Sequence, residues 1–428
     1  MPMKLVYIIS FLALASCSKH LQNVQIDEGA AYGGPEEPSI CVNPTNTNNI
    51  VAGSNISNTY YSTDGGLRWF KLNPKSTYGV AGDPCLIADK NGKFYFFHLS
   101  NDRTDPKEGW LDRIVCQTSE DGGKTWNNGS YMGLNGTKDQ DKEWAAINPV
   151  TNEIYVTWTE FDKYASKEEK DSSYILFSQS KDDGKTWSDA IRLNEFAGNC
   201  IDDDLTTEGA TPAIGPNGEI YVSWSFDDKV YFDKSLDNGK TWLEKDKEVC
   251  EQSGGWVFNI PGIYRSNGLP ITCTDLSDST HRGNIYINYA AQNDNDTTNT
   301  DIWFVKSTDK GESWGEPIKV NDDTTNSHQF FTWMTVDQTN GNIYIVYYDR
   351  SNYNDWRTDV KLAYSKDGGA SFKNITISEE PFVPNPSIFF GDYNNISAHN
   401  NVIRPIWTRL HKNRLSVWTC LIDGEKLD

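Results

Sequence analysis

An eight-residue pattern, Ser-x-Asp-x-Gly-x-x-Trp, occurs five times along the chain, and a sixth copy has Phe in place of Trp. The copies recur at intervals of roughly 60 residues, and such a period indicates an array of similar structural units. In each copy the Asp can accept hydrogen bonds from a turn's backbone, the Gly can adopt a positive φ, and the aromatic ring can cover the flanking strands. A hairpin turn is therefore predicted at all six copies, which begin at Ser62, Ser119, Ser180, Ser235, Ser307 and Ser365.

A second repeat lies ahead of each copy and consists of an apolar strand, a turn that often contains Asn-Gly, and a strand of alternating aromatic and β-branched residues. Clear cases lie at residues 87–97, 147–158, 214–224, 285–289 and 336–347, and a looser one lies at 40–52. Alternation beside Asn-Gly is a strong signal for a β-hairpin. A seventh case at 395–418 has no eight-residue repeat after it.

These repeats predict an all-β protein in which each unit supplies a four-stranded sheet. The seventh unit has three strands and needs a fourth, which the segment Asn23–Ile26 can supply. That strand would close a ring and remove both free sheet edges. We therefore predict a β-propeller of seven blades, closed by an N-terminal strand, with six blades as the alternative if one unit is an insertion. Because no Pro-, Ser- or Gly-rich linker interrupts the series, residues 21–428 are predicted to form one domain.

The eight-residue repeat resembles the Asp-box, or bacterial neuraminidase repeat, of sialidases and other glycan-active propeller proteins. The mature chain also resembles Bacteroidetes-type secreted lipoproteins of the sialidase-like superfamily, with Phe389–Tyr393 and Arg404–Leu410 as its most distinctive segments. The resemblance implies that the repeats are structural turns remote from a catalytic face. Sialidases carry Arg-Ile-Pro before the first box, whereas this chain has no Arg before Arg68. Its nearest look-alike, Ile260–Arg265, runs in a different order, so no catalytic role is carried over.

In a propeller of this kind, the loops that enter the first strands and leave the second strands meet at one mouth. Carboxylates there could act as acid, base or nucleophile, Arg could hold an anionic sugar, and aromatic rings could stack on a pyranose. The candidate catalytic residues are Asp83, Asp141, Glu143, Glu208, Asp349, Asp392 and Tyr393. The candidate substrate-binding residues are Arg265, Arg350, Arg103, Arg409 and Trp144.

This inventory predicts a cell-envelope glycoside hydrolase of the sialidase-like superfamily that works by carboxylate acid/base chemistry on a carbohydrate ligand. Sialylated and other acidic glycans are among the candidate substrates. Two alternatives stay open, a non-catalytic glycan-binding surface lipoprotein and a protein-interaction scaffold. With 60 Asp and Glu against 39 Lys and Arg, the net charge of −21 argues against a nucleic-acid partner. The protein is expected to be a monomer.

The N-terminus predicts export and lipid anchoring. One Lys precedes an apolar run from Leu5 to Ala15, which is too short to span a bilayer. The segment Leu14-Ala15-Ser16-Cys17 resembles a lipobox, in which the Cys is acylated. Residues 1–17 are therefore predicted to be a lipoprotein signal peptide, and Cys17 is predicted to anchor the protein in the bacterial outer membrane on its periplasmic or surface face. An ordinary cleaved signal that happens to contain Cys is the alternative. Because no later segment approaches about 20 apolar residues, any anchoring would rest on lipid alone.

No cofactor is expected, because the chain lacks an HExxH motif, a phosphate-binding Gly-rich loop and a dinucleotide fingerprint. The polar segment 293–301 could hold Ca²⁺, although it lacks the Gly and distal Glu of an EF-hand loop. Seven cysteines follow Cys17, with no CxxC pair. They are predicted to be small buried residues, with one disulfide at most, such as Cys200 to Cys250.

Overall fold

The structure is a computed structural model that describes residues 21–29, 34–101, 110–293, 296–412 and 414–428. In these residues the regular structure is β-strand, with a single 3₁₀ turn at Gly424–Lys426. No helix in the described ranges has the length and apolar character needed to cross a membrane. The predicted signal peptide with Cys17, and the candidate Arg103, lie outside the described residues.

Seven four-stranded antiparallel sheets form the blades of a propeller, and the chain begins with the strand β1 (Gln22–Asp27). Blade 1 contains β2 (Ser39–Val42), β3 (Ile50–Ser54), β4 (Asn58–Ser62) and β5 (Phe70–Leu72). Blade 2 contains β6 (Cys85–Ala88), β7 (Phe94–Leu99), β8 (Ile114–Ser119) and β9 (Ser130–Met132). Blade 3 contains β10 (Asp139–Ile147), β11 (Ile154–Phe161), β12 (Ser173–Ser180) and β13 (Ile191–Arg192).

The remaining blades continue in chain order, with one small two-stranded sheet between blades 4 and 5. Blade 4 contains β14 (Glu208–Ile214), β15 (Ile220–Phe226), β16 (Lys229–Ser235) and β17 (Lys247–Glu251), and the small sheet contains β18 (Val257–Phe258) and β19 (Ser266–Asn267). Blade 5 contains β20 (Ile271–Thr274), β21 (Ile285–Asn293), β22 (Asp296–Ser307) and β23 (Ile318–Lys319). Blade 6 contains β24 (Gln329–Asp337), β25 (Asn342–Asp349), β26 (Asp359–Ser365) and β27 (Lys373–Thr376). Blade 7 contains β28 (Asn395–His399), β29 (Val402–His411) and β30 (Arg414–Asp423), with β1 as its fourth strand.

The N-terminal strand closes the ring as the sequence predicts. Strand β1 pairs antiparallel with β30, and Gln22 lies opposite Leu421 while Gln25 lies opposite Trp418. The first and last strands of the chain therefore share one sheet, and blade 7 gains its fourth strand without a further segment. Seven blades, and not the alternative six, make up the propeller.

The eight-residue repeats form one recurrent turn between the third and fourth strands of blades 1 to 6. In the fifth copy the Ser307 hydroxyl donates to Asp309 Oδ1 at 2.8 Å and accepts from the Gly311 N–H at 2.9 Å. Asp309 Oδ1 also accepts from the Ser313 N–H at 2.9 Å. The Ser-to-Asp and Gly-to-Ser bonds recur in the other five copies. The predicted hairpin turns are confirmed.

The aromatic residue of several repeats packs on the preceding blade. Three such contacts have ring centroids about 5 Å apart: Trp242 on Phe177 at 4.9 Å, Trp314 on Phe232 at 5.1 Å, and Phe372 on Phe304 at 5.1 Å. Each partner lies on the third strand of the blade before it. Because aromatic pairs of this kind stabilise beyond their buried area, the repeats also hold neighbouring blades together.

Replacing Gly311 by Ala is expected to destabilise the propeller by about 1–3 kcal/mol. Gly311 has a φ of +74°, and a Cβ on it would lie 2.5 Å from Phe232 of the neighbouring blade. The matched control is Gly315→Ala, where the nearest atom to a new Cβ would be 3.6 Å away and φ is ordinary. Urea unfolding of both variants checks the prediction, and equal midpoints for the two variants would contradict it.

The predicted disulfide between Cys200 and Cys250 is wrong. All seven cysteines of the described chain are free. Cys85, Cys116, Cys200 and Cys420 are buried as predicted, whereas Cys41, Cys250 and Cys273 are only partly buried. Cys200 lies in a loop that pairs with Ser166 of blade 3. Cys250 lies on β17, where its thiol donates to the Tyr289 hydroxyl of blade 5 at 3.3 Å. The two thiols thus have separate environments that their sequence spacing does not reveal.

Candidate active site at the propeller mouth

The candidate site lies at the end of the ring opposite the eight-residue turns, where the innermost strands begin. Several of these strands begin with strained backbone, and positive φ values occur at Glu37 (51°), Asp83 (49°) and Lys142 (56°). In β10 the pairing with β11 shifts register between Asp141 and Trp144. Such a β-bulge re-aims side chains at a sheet end. It places the charged side chains of residues 141–143 at the mouth, although each is less than a tenth exposed.

Lys142 is the cationic centre of the mouth, and it was not among the residues that the sequence selected. Its Nζ lies 2.8 Å from Asp392, 3.1 Å from Asp83 and 3.8 Å from Glu37, so four blades meet at one ammonium group. Burial opposes the charge of Lys142, but the surrounding carboxylates raise its pKa well above the usual range. The ammonium therefore stays charged and joins the innermost strands electrostatically.

Arg265 is the second cation, and it faces the entrance with 28% of its side chain exposed. It donates from Nε to Asp392 Oδ1 at 2.8 Å and from Nη1 to Asp202 Oδ2 at 2.7 Å, and Nη2 completes a two-pronged contact with Asp392. Burial opposes ionisation of Asp392, but the charges of Arg265 and Lys142 hold its pKa well below the usual range. Asp392 is therefore an ionised bridge between the two cations.

Two glutamates of the mouth are buried without a bonding partner. Glu143 and Glu208 are each 1% exposed, and within the described part of the chain none of their carboxyl oxygens has a hydrogen-bond partner. Burial raises the pKa of both well above the usual range, and Asp141 and other nearby acids raise it further. Burial also raises the pKa of Asp141, to about 7. Burial therefore favours the protonated forms of Glu143 and Glu208, and Asp141 titrates near neutral pH.

An aromatic floor lies under these charges. The Trp144 ring lies 4.2 Å from that of Trp333 and 4.9 Å from that of Tyr393, measured between centroids. The Tyr393 hydroxyl and the Trp144 indole N–H have no hydrogen-bond partner among the described residues. Below the floor a cavity of about 340 Å³ follows the propeller axis, and the described residues that line it include no carboxylate. The carboxylates described above therefore lie at the mouth and not along this cavity.

Exposed aromatic rings surround the entrance. Tyr264 is 61% exposed, and its ring lies 6.1 Å from that of Phe389, over which the Arg265 guanidinium sits at 5.1 Å. Trp110, which is 48% exposed, lies 6.0 Å from Tyr164. Sequence analysis missed these rings, although Tyr264 directly precedes a selected Arg. Flat apolar rings beside charged groups are typical of carbohydrate-binding surfaces.

The structure brings eight of the residues selected from the sequence into this one mouth: Asp83, Asp141, Glu143, Trp144, Glu208, Arg265, Asp392 and Tyr393. It adds Glu37, Lys142, Asp202 and Tyr164, which the sequence did not select. The signal that could have found Lys142 is its position between two selected acids at the start of an inner strand.

Three other selected residues make separate contacts. Asp349 is fully buried and accepts from Gln329 at 2.9 Å and from Ser351 at 2.6 Å, both in blade 6. Arg350 donates to the Pro261 carbonyl at 2.6 Å, and burial lowers its pKa to about 10. Arg409 donates to Glu380 at 2.8 Å on blade 7. These contacts do not link them to Lys142 or Arg265, so they are left out of the candidate site.

Metal binding stays a prediction for the segment 293–301. Among the side chains of this segment that the structure describes, Asp301 accepts a hydrogen bond from Asn321 at 2.7 Å and contacts Lys319 at 3.3 Å. In the part of the chain that the structure describes, no group of three or more His, Cys, Asp or Glu residues is arranged to hold a metal ion. The carboxylates of the mouth are instead spaced around Lys142 and Arg265.

No family model and no curated protein matches the chain. Among solved structures, it is similar to an ulvan lyase from a new family of polysaccharide lyases, at 14% identity and a TM-score of 0.57, over 93% of this chain and 96% of that one. A Hadza microbial sialidase aligns at 14% identity and a TM-score of 0.49, over 89% and 74% of the two chains. Trypanosoma rangeli sialidase aligns at 13% identity and a TM-score of 0.46, over 95% and 60%. At these identities the likeness concerns the fold alone.

Proposed function

We propose that the protein is a glycoside hydrolase that cleaves glycosidic bonds at the propeller mouth by carboxylate acid/base chemistry. The observation that carries this proposal is the convergence of selected carboxylates from several blades at one propeller mouth, where the pKa is raised at Asp141 and Glu208 and lowered at Asp392. In glycosidases the surroundings of two neighbouring carboxyl groups give them different pKa values. One carboxyl group can then act as the acid while the other acts as the base or nucleophile. Asp83, Asp202 and Asp392 are held in inter-blade ion pairs, whereas the carboxyl oxygens of Glu143 and Glu208 have no hydrogen-bond partner among the described residues. If every carboxylate of the mouth were held in such ion pairs, a binding protein or a scaffold would be favoured.

We assign the acid and base roles to Glu208 and Asp141, whose charges repel each other. Two such neighbours do not both ionise near neutral pH, so the pair holds a shared proton. Buried Glu208 keeps it and can donate it to the glycosidic oxygen. Asp141, with a pKa raised to about 7, can then accept a proton from the attacking water. Arg265 faces the entrance and can orient the substrate there, while Asp392 and Asp202 fix the position of its guanidinium.

The surroundings of the site support a sugar as the ligand. The rings of Tyr264, Phe389 and Trp110 can stack on pyranose faces at the entrance. The ulvan lyase that shares the fold was solved bound to a disaccharide unit of glucuronic acid and sulfated rhamnose, which is a carbohydrate ligand for this architecture. A glycan-binding protein without catalysis is the second candidate, because the unpaired acceptors of the mouth would also suit capture alone.

The test is the release of sugar by the purified protein from a panel of neutral, amine-bearing and acidic polysaccharides, with Asp141→Asn beside it. We expect release from at least one substrate and its loss in the variant. The matched control is Asp189→Asn, because Asp189 is exposed on the outer side of blade 3. Binding of a glycan without release from any member of the panel would move the assignment to a capture protein.

We also propose that the protein is exported and anchored in the outer membrane through a lipid on Cys17. The lipobox-like segment supports this proposal. Metabolic labelling of producing cells with radioactive palmitate tests it, since the wild-type protein should carry label and Cys17→Ser should not. Label on the Cys17→Ser variant, or no label on the wild type, would contradict the assignment.

A further inference from the structure

The mouth holds far more acids than bases. Eight carboxyl groups surround it, namely Glu36, Glu37, Asp83, Asp141, Glu143, Asp202, Glu208 and Asp392. The cations that contact them within the described residues are Lys142 and Arg265. Both are already neutralised, because Lys142 faces Asp392 and Asp83 while Arg265 faces Asp392 and Asp202. Within the described residues, the mouth therefore has more carboxyl groups than cations, and both cations already face carboxylates.

Among the described residues, a negatively charged sugar would find no cation at the mouth that is free of a carboxylate partner. A carboxylate or sulfate group is bound well when a guanidinium can face it with both prongs. Three of the five N–H groups of Arg265 already donate to Asp392 and Asp202, so an incoming anion would compete with these two carboxylates for the guanidinium. The net charge of −21 adds long-range repulsion of anions.

The same mouth offers acceptors that have no donor. Within the described chain, none of the carboxyl oxygens of Glu143 and Glu208 has a hydrogen-bond partner. Glu36 Oε2 and Glu37 Oε1 also lack a hydrogen-bond partner there. Each of these residues is more than nine-tenths buried. Buried acceptors without donors cost free energy unless a ligand supplies the missing hydrogen. Sugar hydroxyl groups and ammonium groups are the donors that fit.

We propose that the mouth takes a glycan without carboxylate or sulfate groups, and that it prefers sugars whose free ammonium group can donate to Glu143 and Glu208. This inference rests on the proposed function, since it names the substrate class of the same site. Glucosamine-containing glycans have this chemistry, whereas sialosides and uronates lack it. When the ammonium form binds, one of the buried acids would lose its proton to solvent and pair with the ammonium as a carboxylate, so proton release is expected at a pH that keeps the amine protonated.

The test compares three β-1,4-linked hexasaccharides, of glucose, glucosamine and glucuronic acid, by isothermal titration calorimetry on the full-length protein. The three differ only in the group that carries charge. We expect the glucosamine oligomer to bind about tenfold or more tightly than the glucose oligomer, as for one charged hydrogen bond. The glucuronic acid oligomer should bind least. Proton release, seen as a heat that depends on the buffer, should accompany the glucosamine oligomer alone.

Variants of the unpaired acids make the assignment specific. Glu143→Gln and Glu208→Gln should each reduce the preference for glucosamine over glucose to about twofold or less, and Glu316→Gln, an exposed residue outside the mouth, should not. An unchanged preference in both mouth variants, tighter binding of the glucuronic acid oligomer, or no binding of any of the three would overturn the inference. Cleavage of an acidic glycan would leave the proposed hydrolase standing while this inference fails. Binding of the glucosamine oligomer without cleavage of any glycan would do the reverse.

Discussion

Replacing Glu208 by Gln is expected to lower kcat for glycan cleavage by about 10²–10⁴-fold, which is the contribution of a positioned general acid. The amide fills the same space but has no carboxyl proton to give. Because Glu208 is buried and its pKa is raised well above the usual range, the neutral form of the side chain is favoured before the change. The substitution therefore removes a proton donor without removing a charge from the ion network.

Stability measurements separate this effect from damage to the fold. A carboxyl group whose pKa is raised on folding destabilises the folded state as pH rises above its unfolded value of about 4.3. Glu208→Gln abolishes that titration, so at pH 7 the variant should unfold at the same urea concentration as the wild type or a higher one. Glu316→Gln serves as the matched control for activity. A variant that keeps more than about half of the wild-type kcat would remove Glu208 from the acid role.

Replacing Lys142 by Met is expected to destabilise the protein by about 3–5 kcal/mol at pH 7, which is the usual cost of breaking a buried ion pair from one side. Met retains much of the volume but leaves Asp392, Asp83 and Glu37 without the ammonium that faces them. Since these acids come from three other blades, the loss should affect the whole propeller. Urea unfolding at pH 7 measures it, with Lys185→Met on an exposed turn as control.

The pH dependence of this loss has a defined sign. Lys142 has a raised pKa when folded, so its contribution is complete below about pH 10. Asp392 has a lowered pKa when folded, so its contribution is present above about pH 4 and is lost as pH falls further. The difference between Lys142→Met and wild type should therefore be largest between about pH 4 and pH 10 and should shrink as pH falls below about 4. A constant difference at lower pH would contradict the ion network.

The ring and its turns could be predicted from the sequence because their signals are local. Each eight-residue repeat carries its own Ser, Asp and Gly, and these bond within the turn, as Ser307, Asp309 and Gly311 do. The alternating residues of the second repeat predicted the strands of each blade. Because blade 7 needed a fourth strand, the sequence also predicted a strand around Val24, which pairs with Thr419. These inferences need no knowledge of contacts between blades.

The site could be predicted only in part, because its decisive contacts join distant parts of the chain. Lys142 and Asp83 are 59 residues apart, and Arg265 and Asp392 are 127 residues apart. In the sequence, a Lys between two acids is most simply interpreted as part of a solvated run of charges. Only the fold shows that residues of other blades surround it. Asp349 follows a second strand in the same way as other mouth candidates, yet its oxygens bond within its own blade. A residue's position at a strand end therefore does not determine which residues its side chain contacts.

The most direct test of hydrolysis at the mouth is cleavage of the best-bound glycan in water enriched in oxygen-18, followed by mass spectrometry of the products. Hydrolysis by the acid and base assigned to Glu208 and Asp141 predicts one heavy oxygen on the new reducing end, with no such product from Glu208→Gln. An unlabelled, unsaturated product would show elimination, and intact glycan that stays bound would show capture. Either of these two results would contradict the hydrolase.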